Sequence, residues 1–271
     1  MDFFTSKEIA PGIFHIGEPA GVYCTLIVGT KRALLFDTGY GFRNVGEFVS
    51  TLTNLPLTVI NSHGHLDHAG GSHYFDQVFA HPYEQEVYKL YQDEKRSLLD
   101  RLETRYQTGK IPRPWPEGFD LDAYCTVDPC KFLPLANHRR FDLGGRTAEA
   151  VYLPGHTKGC IVLYDQASGI LLSGDNIADS LWIMFEQSAS LQEYEKTLEQ
   201  IKSEYAISGI LASHRGSLYP PSLIDETLRC IDTRQGNSTP FIHPRKGFDA
   251  LKHKMYAKGI GYIYLVYPKN S

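Results

Sequence analysis

The segment Ser62-His63-Gly64-His65-Leu66-Asp67-His68 constrains this chain more than any other feature. It follows directly on Leu57–Asn61, an apolar and β-branched run that reads as a strand. Three imidazoles and a carboxylate in one loop are hard to accommodate alone. The rings repel when protonated and cost desolvation when buried and neutral. A divalent cation removes both difficulties. In an extended loop, residues two apart point to the same side, so His63 and His65 can share one ion. Asp67 and His68 lie beyond them and can reach a second. Zinc held by nitrogen and oxygen takes about four positions, with one left open in catalytic sites. The fold must therefore bring further ligands to the end of this strand.

The rest of the chain offers them in the right places. His156 follows the run Ala148–Leu153, Asp175 follows Gly169–Ser173, and His214 follows Ile207–Ser213; each run reads as a strand. Upstream, residues 12–16, 22–28 and 32–37 are further strand-like runs separated by Gly and Pro. Val87, Leu90, Tyr91, Leu98, Leu99, Leu102 and Tyr106 recur near a 3.6 period, which predicts one helix from about Pro82 to Gly109. Pro112, Pro114 and Pro116 then break regularity. Residues from about 84 to 137 read as a helical and irregular insertion. A hairpin is expected over 160–173, and Ser190 with Glu193 forms a capping box opening a helix to Glu204. Another helix is expected over 221–234. The tail, 237–271, reads as an extension with a helix over 248–258 and an aromatic strand over 260–267. Two blocks of strands, each followed by helices, imply a layered α/β (α+β) fold.

Composition narrows the function classes. Across 271 residues the formal net charge is −4, so no global basic field exists to hold nucleic acid or an anionic membrane. Five cysteines, an odd number without a CxxC, argue against a disulfide framework and for a reducing compartment. Met1 to Pro11 lacks the basic start and apolar run of a signal peptide, and no stretch reaches the roughly 18 apolar residues of a membrane span. A cytoplasmic, single-domain protein is expected.

Taken in order, Asp37-Thr38-Gly39, the His63–His68 motif, Gly155-His156-Thr157, Ser173-Gly174-Asp175 and Ser213-His214 resemble the five motifs of the metallo-β-lactamase superfamily. The resemblance spans about residues 10 to 215. It implies a four-layer αβ/βα sandwich, two mixed sheets flanked by helices. It implies that His63, His65 and His156 hold one metal and Asp67, His68 and His214 a second, with Asp175 between the two. It makes Asp67, His68 and Asp175 the catalytic groups, and Asp37 the residue behind the ligands that orients them. The cofactor it implies is a pair of divalent metals, zinc first, with iron or manganese as alternatives. A hydroxide between the two ions would attack an ester, thioester, lactone, amide or phosphodiester of a small-molecule substrate.

Departures from known branches of that family restrict the substrate. Asp175 stands where true β-lactamases place Cys or Ser, or otherwise lack Asp. Between Asp175 and Gln192 there is no Lys, Arg or Tyr to grip glutathione, and Ala178 stands where lactonases carry Tyr. The basic and acidic residues from Glu84 to Arg113 nearly balance and read as a solvated helix face rather than a nucleic-acid arm. Trp115, Phe119 and Tyr124 in the insertion, with Trp182, Met184 and Phe185 after Asp175, are candidate walls of an apolar pocket. The run Gly261–Tyr267 is apolar on both faces and reads as a buried strand or a contact between subunits of a homo-oligomer. Cys160 reads as a small buried hydrophobe. The competing readings are a mononuclear iron enzyme resembling sulfur dioxygenases and a non-catalytic metal-binding protein. Elemental analysis and oxygen uptake separate them.

Overall fold

The computed structural model describes residues 3–242 and 249–269. Four strands open the chain: β1 (Thr5–Ala10), β2 (Ile13–Gly17), β3 (Tyr23–Val28) and β4 (Ala33–Phe36). Helix α1 (Val45–Ser50) leads to β5 (Leu57–Ile60), α2 (Leu66–Ala69) and a 3₁₀ turn (Gly70–Tyr74). Then come β6 (Phe79–Ala80), α3 (Glu84–Asp93), α4 (Lys95–Gln107), α5 (Leu121–Cys125) and β7 (Leu133–Pro134). Strands β8 (Arg139–Asp142), β9 (Thr147–Tyr152), β10 (Ile161–Asp165), β11 (Ile170–Gly174) and β12 (Ser180–Trp182) follow. The remainder is α6 (Leu191–Glu204), β13 (Gly209–Ala212), α7 (Leu223–Asp232), β14 (Ser238–Ile242), β15 (Asp249–Ala257) and β16 (Gly261–Pro268).

Strands β1 to β7 form one mixed sheet in sequence order, and β13-β11-β10-β9-β8 form a second. The layering follows from the two-residue period of strands. In β4, Leu34 and Phe36 join Ile60, Ile161, Leu163, Leu172 and Leu211 in the apolar layer between the sheets. Ala33 and Leu35, on the other face, pack with Val45 and Val49 of α1. The outer face of the second sheet carries α6 and α7, where Tyr194, Leu198, Leu223 and Ile231 meet Val151, Val162 and Ile210. This is the expected sandwich of mixed sheets flanked by helices.

Three local expectations change. The helix predicted from Pro82 to Gly109 is two helices, broken at Glu94, whose backbone (φ −91, ψ 0) leaves the helical region. The break lets α3 pack on the metal-motif loop and α4 turn along its mouth. The helix predicted over 248–258 is a strand from Asp249, Phe248 lying outside the described residues. β15 pairs antiparallel with β16 from Ala250↔Pro268 to Ala257↔Gly261, and this long ladder outweighs a weak local periodicity. Finally, the tail adds a third sheet, β12-β16-β15-β14, with β16 at its interior. The aromatic run is thus an interior strand of that sheet, with Ile263, Leu265, Val266 and Tyr267 enclosed and Tyr262 exposed. Among the described residues, no helix is long and apolar enough to cross a membrane.

Candidate metal centre

Strand direction gathers the site. β4 pairs parallel with β5, and β11 pairs parallel with β13. Parallel strands present their carboxyl ends at one edge, so Asp37, His63, Asp175 and His214, each just past a strand end, arrive together. His156 reaches them from the loop after β9.

Three groups of ligand atoms lie within 4.8 Å of one another: His63, His65 and His156; His63, His68 and Asp175; Asp67, His68 and His214. Asp175 Oδ2 sits among the histidines, 3.7 Å from His156 Nε2, 3.4 Å from His68 Nε2 and 3.3 Å from His214 Nε2. Asp67 Oδ2 lies 3.5 Å from His214 Nε2. All seven predicted ligands therefore meet at one place.

The rings are held from behind. His68 Nδ1–H donates to Asp37 Oδ2 (2.9 Å), His156 Nδ1–H to the Trp182 carbonyl (2.7 Å) and His214 Nδ1–H to the Gly21 carbonyl (3.2 Å). His63 Nδ1 lies 2.9 Å from Ser62 Oγ, whose hydroxyl donates onward to Asp37 Oδ2 (2.9 Å). Asp37 also accepts from Ser62 N–H (2.6 Å) and the Ser213 hydroxyl (3.2 Å). With Nδ1 committed to an acceptor, each of these rings turns Nε2 toward the centre, where it becomes a lone pair once a cation displaces its proton.

The donor set fits cations. His63 Nε2 and His68 Nε2 are buried without a hydrogen-bond partner. His156 Nε2 faces His65 Nδ1 at 3.1 Å. Burial opposes charge on His68, yet the carboxylates of Asp175, Asp67 and Asp37 outweigh it and hold its pKa well above the usual range. Burial and the neighbouring imidazoles push His63 well below it. Such a nest of opposed charges and inward lone pairs is what a pair of dications satisfies.

Glu84, at the start of α3, ties the two metal loops together, a role its sequence position did not signal. Its carboxylate accepts from Gly64 N–H (2.7 Å), Gly159 N–H (2.9 Å) and the Thr157 hydroxyl (2.7 Å). Both glycines are required by this approach, since a Cβ on Gly64 would meet the Glu84 carbonyl oxygen and one on Gly159 the Glu84 carboxylate, each at 2.5 Å. Glu84→Gln puts an amide N–H against a donor. It is expected to cost about 1–3 kcal/mol of stability and to weaken metal affinity about 10- to 100-fold, as read by urea unfolding and titration in metal buffers.

The loop carrying His214 is fixed by His15. The imidazole, only 2% exposed, lies 3.0 Å from both Thr25 Oγ1 and the Arg215 carbonyl and stacks on Tyr23. Burial lowers its pKa to about 4. The unfolded chain therefore binds this proton between pH 6.5 and 4 while the folded chain does not, and stability falls as pH drops through that window. The loss is expected to reach about 3 kcal/mol. Denaturant unfolding at stepped pH should show it, and His15→Gln should flatten the profile.

Above the ligands lies a cavity of about 460 Å³. Trp182 and Phe185 line it, together with Tyr91, Arg101 and Arg105. Phe185 stands edge-on to His65 and His156, at 5.7 and 5.4 Å. The expectation that Trp115 and Phe119 line this cavity does not hold. They surround Phe42 with Tyr124, at ring distances of 5.7, 5.4 and 5.4 Å, in an apolar cluster beneath α4. Packing that helix is their task, and Trp115 borders only a separate surface hollow beside Arg113. The residues the sequence missed are on α4 itself. Arg101 and Arg105, four apart and hence on one face, were signalled only by that spacing.

Fold and site define a class, the layered α/β metallo-hydrolases. Residues 17–209 match the sequence model of the metallo-beta-lactamase superfamily, and the chain belongs to that superfamily. It is 27% identical over 219 residues to the acyl-coenzyme A thioesterase MBLAC2 of Gallus gallus, covering 74% of this chain and 76% of the relative. The Homo sapiens protein of that name is 28% identical over 222 residues, with the same coverage. Among solved structures, a metallo-beta-lactamase family protein from Thermus thermophilus superposes with a TM-score of 0.60 at 20% identity, covering 83% of this chain and 81% of its own.

Proposed function

We propose that this chain is a binuclear metal-dependent thioesterase acting on acyl-coenzyme A. The observation that carries the reading is the convergence of two ligand triads, joined by Asp175, on the floor of a cavity with an aromatic wall. The relatives named as acyl-coenzyme A thioesterases support the choice of bond.

His63, His65 and His156 would hold one cation and Asp67, His68 and His214 the other, with Asp175 shared. Such a pair supplies Lewis acidity and a water nucleophile at neutral pH. Asp67 opens toward the cavity, its side chain 25% exposed. It is the carboxylate placed to take a proton from the attacking water. A thiol leaving group has a pKa of about 8.5 and departs as thiolate, so no strong general acid is needed. Trp182 and Phe185 receive the acyl chain and exclude water from it. Asp37 and Glu84 keep the ligand loops in register throughout.

The test is a panel of acyl-coenzyme A esters, lactones, phosphodiesters and β-lactams, with thiol release as the readout and metal content measured alongside. Thioester turnover with about two zinc ions per chain is expected. A single iron with oxygen uptake, or turnover confined to another bond class, removes this reading.

A further inference from the structure

We infer that Arg101 and Arg105 of α4 form an anion subsite in the wall of the metal cavity, which takes the phosphate groups of the thioester's carrier. The inference deepens the thioesterase reading and rests on it. Three observations carry it.

First, both arginines line the same cavity as His65, Asp67, His156, Asp175 and His214. Residues four apart share a helix face and stand about 6 Å apart along the axis, so both arginines project from the same side of α4, Arg101 Nη1 donating to Ser97 Oγ at 3.2 Å. Second, the charge of Arg105 is not consumed by a neighbouring carboxylate. Among the described residues it forms no salt bridge, and Asp179, the remaining acid of the lining, lies 3.7 Å from Arg215. Third, the lining combines aromatic groups, Trp182 and Phe185 after β11 with Tyr91 of α3 and Tyr219, with cations from α4. A substrate that suits both has an apolar acyl part and an anionic handle. Guanidinium groups bind phosphate through paired N–H donors, and they hold charge at any working pH.

The missing grip for glutathione fits the same picture. No Lys, Arg or Tyr lies between Asp175 and Gln192, so the chain provides its cations from α4 instead. The handle it selects is a phosphate carrier rather than a tripeptide.

The experiment compares an acyl-coenzyme A with the same acyl group on N-acetylcysteamine, which lacks phosphate, in the wild type, Arg105→Gln and Arg101→Gln/Arg105→Gln. The kcat/KM ratio of the two substrates is expected to fall at least tenfold in the double variant, chiefly through KM. The salt sensitivity of acyl-coenzyme A turnover should fall with it. Calorimetry with desulfo-coenzyme A gives a readout independent of turnover, and its Kd should rise at least tenfold. Circular dichroism and thermal melting establish that the variants fold; should the double variant not, Arg105→Gln, at an exposed position, carries the comparison with a smaller shift in the same direction. A ratio and a Kd unchanged by substitution, with both thioesters cleaved, overturn the subsite and leave the thioesterase reading standing. No cleavage of either thioester by the wild type overturns both.

Discussion

Asp67→Ala is expected to lower kcat/KM at least about a thousandfold while leaving the fold intact. The side chain sits at the rim of the site, within 3.5 Å of His214 Nε2 and 3.8 Å of His68 Nε2, and is open to the cavity. On the proposed reading its removal takes a ligand from one triad and the proton acceptor from the reaction, but no hydrogen bond from the core. Metal analysis should show about one ion retained, because His63, His65 and His156 are untouched. His68→Ala should abolish turnover too, though it takes one of the four donors from the buried Asp37 carboxylate and so tests stability as well. Full activity in Asp67→Ala would remove the second cation from the chemistry.

Asp37→Asn carries the largest expected effect on stability, a loss of about 3–5 kcal/mol. Asp37 takes hydrogen bonds from Ser62 N–H, the Ser62 and Ser213 hydroxyls and His68 Nδ1–H, all buried. An amide cannot accept all of these, and its own N–H₂ would face a donor. Asparagine is the fair replacement because residue 37 has φ +68, a conformation that Asn tolerates and Ala does not. Metal affinity should drop about 10- to 100-fold as His63 and His68 lose their orientation. Urea unfolding of the metal-free protein and titration in metal buffers measure the two effects separately. An unchanged unfolding midpoint would mean that Asp37 is not the anchor of these loops.

The clustering of the seven side chains was legible because the chemistry is local. Imidazoles at 63, 65 and 68 after a strand have few explanations, and His156, Asp175 and His214 stand at the ends of equally readable strands. Of what sits behind these side chains, Asp37 could be read from its motif, whereas Glu84 could not. Glu84 is 20 residues from Gly64 and 75 from Gly159, and only folding makes it their shared acceptor. The pocket wall was half read. Trp182 and Phe185 lie close in sequence to Asp175 and stay close in space, whereas Trp115 and Phe119 turn away beneath α4. Their aromatic character is served equally by a core or by a cavity, so composition alone could not choose. Arg101 and Arg105 looked like ordinary solvated charges because balanced sequence charge says nothing about which face of a helix meets a cleft. The tail misled for another reason: β15 is specified by its neighbour rather than by its own periodicity.

Strand β16 pairs directly with β12, the short strand that carries Ser180 and Trp182 into the cavity rim. One side of the entrance is thus braced by a segment that contributes nothing to the ligand shell. Residues along 249–268 can be exchanged and thereby reshape that wall of the cavity, while the cluster of histidines and carboxylates below stays as it is. The shape of the entrance is then tunable at a distance, by editing a buttress rather than the site itself.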